Sequence, residues 1–124
     1  MLAELAAHLD DDGAAAQRIA RAVRESSGGL PGVRALGLDL PSVGRAQVSM
    51  NLVDHDVTSP RVAFDAVAMR AVARGMRVRS SEIVGLVPAA ALAEGDARDL
   101  RIEGFDPDAQ ILERVVATTG ERTV

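Results

Sequence analysis

The segment RAQVSMNL at residues 45–52 is the part of the sequence that says most about the fold. Its side chains alternate strictly between apolar and polar. Ala, Val, Met and Leu stand at positions 46, 48, 50 and 52, and Gln, Ser and Asn stand at positions 47, 49 and 51. A period of two puts the two sets on opposite sides of an extended chain. The segment therefore predicts a β-strand with one side facing a core and the other facing outward.

A second strand is predicted immediately before the first. Residues 32–40 are rich in Val, Leu and Ala and lie between glycine and proline signals, and residues 41–44 are typical of a turn. Because the two strands are close in sequence, they are expected to form a hairpin.

Two helices are predicted on either side of this hairpin. The first spans about residues 14–24, and the acidic turn at residues 10–13 is placed to cap it. The second begins with Ser59 as the cap and Pro60 in the first turn, and it extends to about residue 74. The predicted buried positions are Ala16, Ile19, Ala20 and Val23 in the first helix, and Phe64, Val67, Ala68, Ala71 and Val72 in the second.

The remaining segments complete an α+β pattern. Residues 76–84 read as a strand, residues 88–93 as a short helix, and Asp106 and Pro107 start a final helix that runs to about residue 118. Residues 1–9 suit either a helix face or one side of a strand, although local propensity favours helix. If they supply a leading strand, the order becomes a ferredoxin-like split βαβ sandwich, an antiparallel sheet with helices on one face plus C-terminal helices.

Composition limits the classes of function. The chain of 124 residues has the size of a single domain, 1–124, and its net charge of −4 with only two aromatic residues argues against nucleic-acid binding. Cys is absent, which excludes disulfides and thiolate metal sites. No apolar stretch is long enough to predict a membrane span, and the N-terminal residues lack the charged flank of a signal peptide. A cytoplasmic location is therefore expected.

The chain resembles a known family in the segment that starts at Gln47 and, in the same order, in segments on both sides of it. It is similar to the C-terminal subdomain of glutamate formimidoyltransferase, or formiminotransferase. The similar segments are AAAQRIARAVRESSGGLPGVRALGLDL at 14–40, QVSMNLVDHDVTSPRVAFDAV at 47–67, SEIVGLVPAAAL at 81–92 and EGFDPDAQILE at 103–113.

The resemblance implies both a fold and a reaction. The family subdomain is a ferredoxin-like sandwich that packs against an N-terminal subdomain of related fold. The family transfers a formimidoyl group from N-formimidoyl-L-glutamate to tetrahydrofolate in histidine degradation, and it holds the folate cosubstrate in a tunnel between the subdomains without a metal. Its catalytic histidine belongs to the N-terminal half. No position here matches that histidine, so no catalytic residue is assigned to this chain.

The chain departs from the family pattern in two ways. It has no counterpart of the N-terminal half, so it is expected to be inactive alone. The family has an aromatic-plus-asparagine strand before the first helix, where this chain has LAELAAHL at residues 2–9. In the split βαβ order that strand lies in the middle of the sheet, and its loss would leave two rows of backbone groups unpaired. Either residues 3–9 fill the position or another chain does so by strand addition.

The polar side of residues 45–52 is the first candidate ligand surface. Gln47, Ser49 and Asn51 present amide and hydroxyl groups in a row, about 6–7 Å apart. Such a row is suited to the carboxylates or the pterin edge of a folate. A plain solvated side of a half-exposed sheet explains the same pattern equally well.

Further candidates are a loop and a carboxylate. Asp54, His55 and Asp56 follow the strand directly, and an imidazole between carboxylates suits an acid, base or ligand role. A solvated turn with an Asp capping the next helix is the simpler interpretation. Glu82 lies inside a strand pattern, on the predicted side of Met76, Val78 and Val84. A half-buried carboxylate there needs a partner, for which Arg34, Arg45 and Arg79 are candidates.

Three functional hypotheses remain from the sequence. The first is the folate-binding half of a formimidoyltransferase that requires a separate N-terminal half. The second is a stand-alone, non-catalytic ligand-binding module, or an interaction module that forms a homo-oligomer through its sheet. The third is a small enzyme acting alone through His55 or Glu82.

Overall fold

The computed structural model describes residues 3–10, 12–40, 42 and 44–122, the last five without their side chains. Within these ranges four strands form one antiparallel sheet in the order β2-β3-β1-β4. The strands are β1 (Ala3–Asp10), β2 (Val33–Leu40), β3 (Arg45–Leu52) and β4 (Ser80–Ile83), and the main helices are α1 (Gly13–Val23) and α2 (Pro60–Ala73). The predicted α+β fold class is confirmed.

Strand β1 lies in the interior of the sheet. It pairs with β3 along its whole length, from Ala3 opposite Leu52 to Asp10 opposite Arg45, and its other edge pairs with β4. The predicted vacancy is therefore filled by the chain's own N-terminal segment, and strand pairing overrides the local helix propensity of its Leu and Ala residues. The first two residues, Met1 and Leu2, lie outside the described part.

Both main helices begin at the caps that the sequence predicts. Asp12 Oδ1 accepts a hydrogen bond of 3.0 Å from the Ala15 N–H, and Ser59 Oγ accepts one of 3.3 Å from the Val62 N–H. Each bond satisfies a backbone donor that has no partner inside the helix. Asp11 of the predicted acidic turn, and Pro41 and Val43 of the predicted hairpin turn, lie outside the described residues.

The core lies between one side of the sheet and the two helices. Alternate side chains of β1 and β3, all apolar, point into it, together with one side of each helix. Its most buried large members include Leu5, Leu9, Ile19, Met50, Leu52 and Val67. The predicted burial of Val72 in α2 is wrong, because its side chain is exposed. Ala63, which was not predicted to be buried, lies in the core. Every core position predicted in β3 is confirmed.

Helix α1 crosses β2 at an unusually short distance. A Cβ atom built on Gly37 would lie 2.4 Å from the backbone N of Gln17 and 2.5 Å from the backbone C of Ala16. Real Cβ atoms do not approach other heavy atoms this closely, so glycine is the residue that allows the helix to pack on the strand here.

The last strand is shorter than predicted. Residues 76–84 read as a strand, but β4 contains only Ser80–Ile83. Within β4 the inward residues are Ser81 and Ile83, at odd positions, whereas the buried residue before the strand, Val78, is at an even position. The alternation of inward and outward side chains is therefore interrupted between Val78 and Ser81. Glu82 therefore points away from the core, and its predicted position on the same side as Val78 is wrong.

The C-terminal segment folds against the edge of β4. The helix predicted over 88–93 is a single 3-10 turn, Ala89–Ala91, followed by α3 (Asp96–Asp99). The predicted final helix is interrupted, giving α4 (Pro107–Gln110) and α5 (Leu112–Arg122). The break lies at Ile111, which forms a parallel bridge with Val87. None of the helices described is long and apolar enough to span a bilayer.

Candidate functional site

The side of the sheet opposite the helices is the candidate site, and we call it the open face. Strand register sets its residues in lateral rows, because residues paired across antiparallel strands point to the same side. One row contains Leu38, Gln47, His8 and Ser80. The next contains Leu36, Ser49, Ala6 and Glu82, and the third contains Arg34, Asn51 and Glu4.

The polar residues predicted on β3 lie together on this face. Gln47, Ser49 and Asn51 are partly exposed, whereas the alternate residues of the same strand are buried. Ser49 on one side and Glu82 on the other are both paired with Ala6, so the small alanine side chain separates two polar groups. Two strand spacings put their backbones about 10 Å apart. The face therefore combines a small apolar floor with hydrogen-bonding groups on both sides.

A histidine that the sequence analysis did not select lies at the centre of the open face. The His8 side chain is only 8% exposed, and its Nε2 lies 3.6 Å from Oε2 of Glu82. Its direct neighbours across the strands are Gln47 and Ser80. The sequence alone could have placed His8 on the outward side of β1, because it alternates with the apolar residues Leu5 and Leu9. The register with β3 was needed to see its neighbours.

Two buried atoms of this region have no hydrogen-bond partner, His8 Nδ1 and Ser80 Oγ. They belong to residues that face each other on β1 and β4. A buried polar group without a partner costs about 1–3 kcal/mol, so an apolar pair would stabilise the fold more. The two atoms are therefore available to a partner that is not part of the described chain.

Glu82 does not have the environment that the sequence predicted. Its side chain is 54% exposed, so it is not a half-buried carboxylate, and its contact is with His8. The arginines proposed as partners have other neighbours: Arg79 Nε lies 3.1 Å from Asp10, and Arg45 Nη1 lies 3.7 Å from Glu103. The predicted pairing of Glu82 with an arginine is wrong, because the shift of alternation before β4 turns the carboxylate to the open face.

The loop after β3 is built by local hydrogen bonds. Asp54 Oδ1 accepts a bond of 2.9 Å from the Asp56 N–H, and the Asp54 carbonyl accepts bonds from the N–H groups of Val57 and Thr58. Ser59 caps α2, so the predicted aspartate cap is wrong. Asp54 thus lies in the loop rather than in a strand, and its proposed ligand role stays a prediction.

His55 is more buried than a solvated turn implies. Its side chain is 11% exposed, and Nδ1 lies 3.4 Å from Asp56 Oδ1 without forming a hydrogen bond. It also acts electrostatically on Glu113 at the start of α5. The part of the chain that the structure describes contains no group of three or more His, Asp or Glu side chains arranged to hold a metal ion.

We expect the contact between α5 and the turn at Ala89 to weaken in acid. The pKa of Glu113 lies below its ordinary value, chiefly because Glu113 Oε1 accepts a 2.9 Å hydrogen bond from the Ala89 N–H. Its own backbone N–H and attraction from His55 lower the pKa further, and desolvation opposes them. A lowered folded-state pKa gives stabilisation that is complete above the unfolded-state value, about 4.3, and is lost as pH falls through the folded-state pKa.

The Ala89 amide chemical shift, followed by NMR from pH 7 to pH 2, measures this titration directly. The expected midpoint lies below the ordinary glutamate value, and Glu113→Gln removes the transition. A midpoint at or above the ordinary value contradicts the expectation.

Comparison with known proteins gives a consistent result. Residues 6–104 match the model of the formiminotransferase domain. The chain is 39% identical over 98 residues to a glutamate formimidoyltransferase of Streptococcus pyogenes serotype M1, and 39% identical over 98 residues to one of Thermoplasma acidophilum. These matches cover 79% of this chain and 33% and 32% of the two relatives. A formimidoyltransferase-cyclodeaminase of Sus scrofa is 38% identical over 88 residues, covering 66% of this chain and 16% of that protein.

The chain therefore spans about a third of the length of the curated formimidoyltransferases that it matches. The matched region includes β3, β4 and the outward residues Ala6 and His8 of β1. The candidate site lies almost entirely inside it.

Proposed function

Because the chain belongs to the formiminotransferase family, we propose that it forms one wall of the folate site of a formimidoyltransferase. The wall is the open face, with Gln47, Ser49 and Asn51 along its central part. The observation that carries this proposal is the strict division of β3 into a buried apolar side and a partly exposed polar side.

The composition of the open face supports a folate ligand. Amide and hydroxyl groups both donate and accept hydrogen bonds, as a pterin ring requires. Arg34 lies on the same face opposite Asn51, at the β2 edge, and a guanidinium is suited to the carboxylates of the glutamate part. Two carboxylates also belong to the proposed site as hydrogen-bond acceptors: Glu82 on β4 and Asp54 in the loop that follows β3.

The proposed reaction is the transfer of a formimidoyl group from N-formimidoyl-L-glutamate to tetrahydrofolate, in the cytoplasm and as part of histidine degradation. The bond from the formimidoyl carbon to the glutamate nitrogen breaks, and a bond from that carbon to a folate nitrogen forms. The acid–base groups for these steps are proposed to come from an N-terminal half that packs over the open face, without a metal ion. This chain alone is proposed to be inactive.

Reconstitution tests the proposal. The N-terminal part of the Streptococcus pyogenes relative is purified and mixed with this chain, and formation of formimidoyl-tetrahydrofolate is measured. We expect turnover in the mixture only. Ser49→Ala should raise the KM for tetrahydrofolate about fivefold, the loss of roughly one hydrogen bond. Ser26→Ala, an exposed serine in the 3-10 turn Glu25–Ser27, is the matched control and should leave KM unchanged.

Failure has a clear form. If the mixture shows no turnover, and calorimetry detects no tetrahydrofolate binding to the chain alone or to the mixture, the proposed function is wrong.

Self-association is the second candidate, and one observation favours it. β2 is an edge strand, and Leu36 on its outward side is 59% exposed on the open face. An exposed edge with an apolar side chain is a surface on which a second copy can pair. A dimer that sediments as such, and that becomes monomeric in Leu36→Glu, would support this function over the first.

A further inference from the structure

The His8 and Ser80 pair is the part of the open face that the proposed function leaves unexplained. The two residues lie opposite each other on β1 and β4, both are more than nine-tenths buried, and each has a side-chain atom without a hydrogen-bond partner. Side chains on the outer face of a sheet are normally solvated, so two buried, unpartnered atoms on neighbouring strands indicate a site that a ligand completes.

The atoms of this pair define the chemistry of the missing partner. When the Nε2–H of neutral His8 is directed at the Glu82 carboxylate, Nδ1 carries a lone pair and accepts hydrogen bonds. Ser80 Oγ accepts as well as donates, and the Glu82 carboxylate accepts only. The three groups together form a set that is rich in acceptors.

Glu82 lies beside His8 and is open to solvent. Its carboxylate lies 3.6 Å from His8 Nε2, but more than half of the side chain is exposed. Exposed side chains rotate within nanoseconds, so the Glu82 carboxylate can turn toward a ligand without a change in the backbone.

The surrounding charges favour the same class of ligand. Glu4 and Asp10 face the open side from β1, and Asp10 forms an ion pair of 3.1 Å with Arg79. Arg45 is engaged with Glu103 at 3.7 Å. Negative charge therefore remains beside His8 through Glu82, which favours a neutral or cationic donor over an anion.

We propose that His8, Ser80 and Glu82 form a binding site for a flat ligand edge with neighbouring N–H groups, the edge of an amidine or of an aminopyrimidine ring. A carboxylate binds such an edge through two parallel hydrogen bonds, as it binds a guanidinium. This site rests on the proposed function, since the formimidoyl group is an amidine and the pterin ring contains an aminopyrimidine. It gives the bound ligand a direction: its donor-rich end lies at β4.

Histidine NMR tests the site in the unmodified chain. The chain contains two histidines, so His55 is an internal control. In protein with 15N-labelled histidine, formamidine and 2-aminopyrimidine are titrated separately, and the signals are assigned with His55→Gln. We expect the His8 Nδ1 signal to move with at least one probe while His55 stays unchanged. The probe that binds distinguishes the amidine from the ring. No movement, or equal movement of both histidines, overturns the site.

Variants with matched controls complete the test. Glu82→Gln and Ser80→Ala are expected to weaken probe binding, Glu82→Gln by about tenfold because it loses a charged acceptor. Glu94→Gln and Ser26→Ala, both exposed and off the open face, should bind as the unmodified chain does. Circular dichroism checks that each variant is folded.

The results separate this inference from the proposed function. If tetrahydrofolate binds with equal affinity to the unmodified chain and to both site variants, and His8 does not respond, the inference and the acceptor role of Glu82 fail, while the folate wall formed by Gln47, Ser49 and Asn51 stands. If His8 responds to formamidine and Glu82→Gln removes the response, the inference holds even where the reconstituted mixture shows no turnover.

Discussion

Removal of residues 1–10 is expected to abolish cooperative folding. The deletion takes away β1, which pairs along eight residues with β3 and along four with β4. It also removes Leu5 and Leu9, both fully buried. Burial of each leucine contributes about 1.5–3 kcal/mol, and the total stability of a domain is only about 5–15 kcal/mol. The loss of these side chains together with two ladders of backbone hydrogen bonds exceeds what such a domain can spare.

Urea titration followed by circular dichroism measures this effect, with dispersion of the NMR amide signals as a second reading. The full chain should unfold in one sigmoidal transition, and the shortened chain should show none. A synthetic peptide of residues 1–12, added in excess, is the control. It should restore the transition, because the contacts of β1 with β3 and β4 are noncovalent and the peptide carries all the residues of β1. A shortened chain with an unchanged midpoint would contradict the role of β1.

Gly37→Ala is expected to destabilise the fold by about 3 kcal/mol or more, at the upper end of the range for overpacking. The added Cβ would lie 2.4 Å from Gln17 N, an atom of the α1 backbone, so no side-chain rotation relieves the contact. Helix α1 must move away from β2, which opens the core around Ile19. At an unconstrained strand position, the same change would be stabilising by about 0.5–1 kcal/mol. The sign of the stability change therefore shows whether α1 packs closely on Gly37.

The neighbouring change Leu36→Ala is the matched control for Gly37→Ala. Leu36 lies on the same strand but points away from α1, and we expect its replacement to change stability by no more than about 0.5 kcal/mol. Both values come from urea unfolding midpoints with equal m-values. Gly37→Ala with native stability would show that α1 is not held against β2 as the structure describes.

The parts of the fold that were predictable are those with strong local signals. The alternation in β3 and the caps Asp12 and Ser59 are encoded within a few residues, and the structure confirms them. β1 remained undecided because its Leu and Ala residues favour helix locally, and only pairing with β3 and β4 makes it a strand. The ends of β4 depended in the same way on contacts made elsewhere in the chain.

The residues of the candidate site were predictable from the sequence only where local signals place them. Gln47, Ser49 and Asn51 were found because one strand is enough to place them on one face. His8 and the true neighbour of Glu82 were missed because they depend on register between strands that are distant in sequence. The electrostatic effect of His55 on Glu113 was missed for the same reason, since Glu113 lies in a helix near the other end of the chain.

The interior position of β1 also governs the order in which the protein matures. As the ribosome makes the chain, β1 leaves the exit tunnel before either of its neighbours, and Leu5 finds its partner Ile83 only after α2 has been synthesised. Folding that depends on pairings between distant parts of the chain is slow. Until its partners are synthesised, β1 exposes apolar side chains. We therefore expect the nascent chain to engage chaperones until β4 emerges, and the sheet to close in one late step.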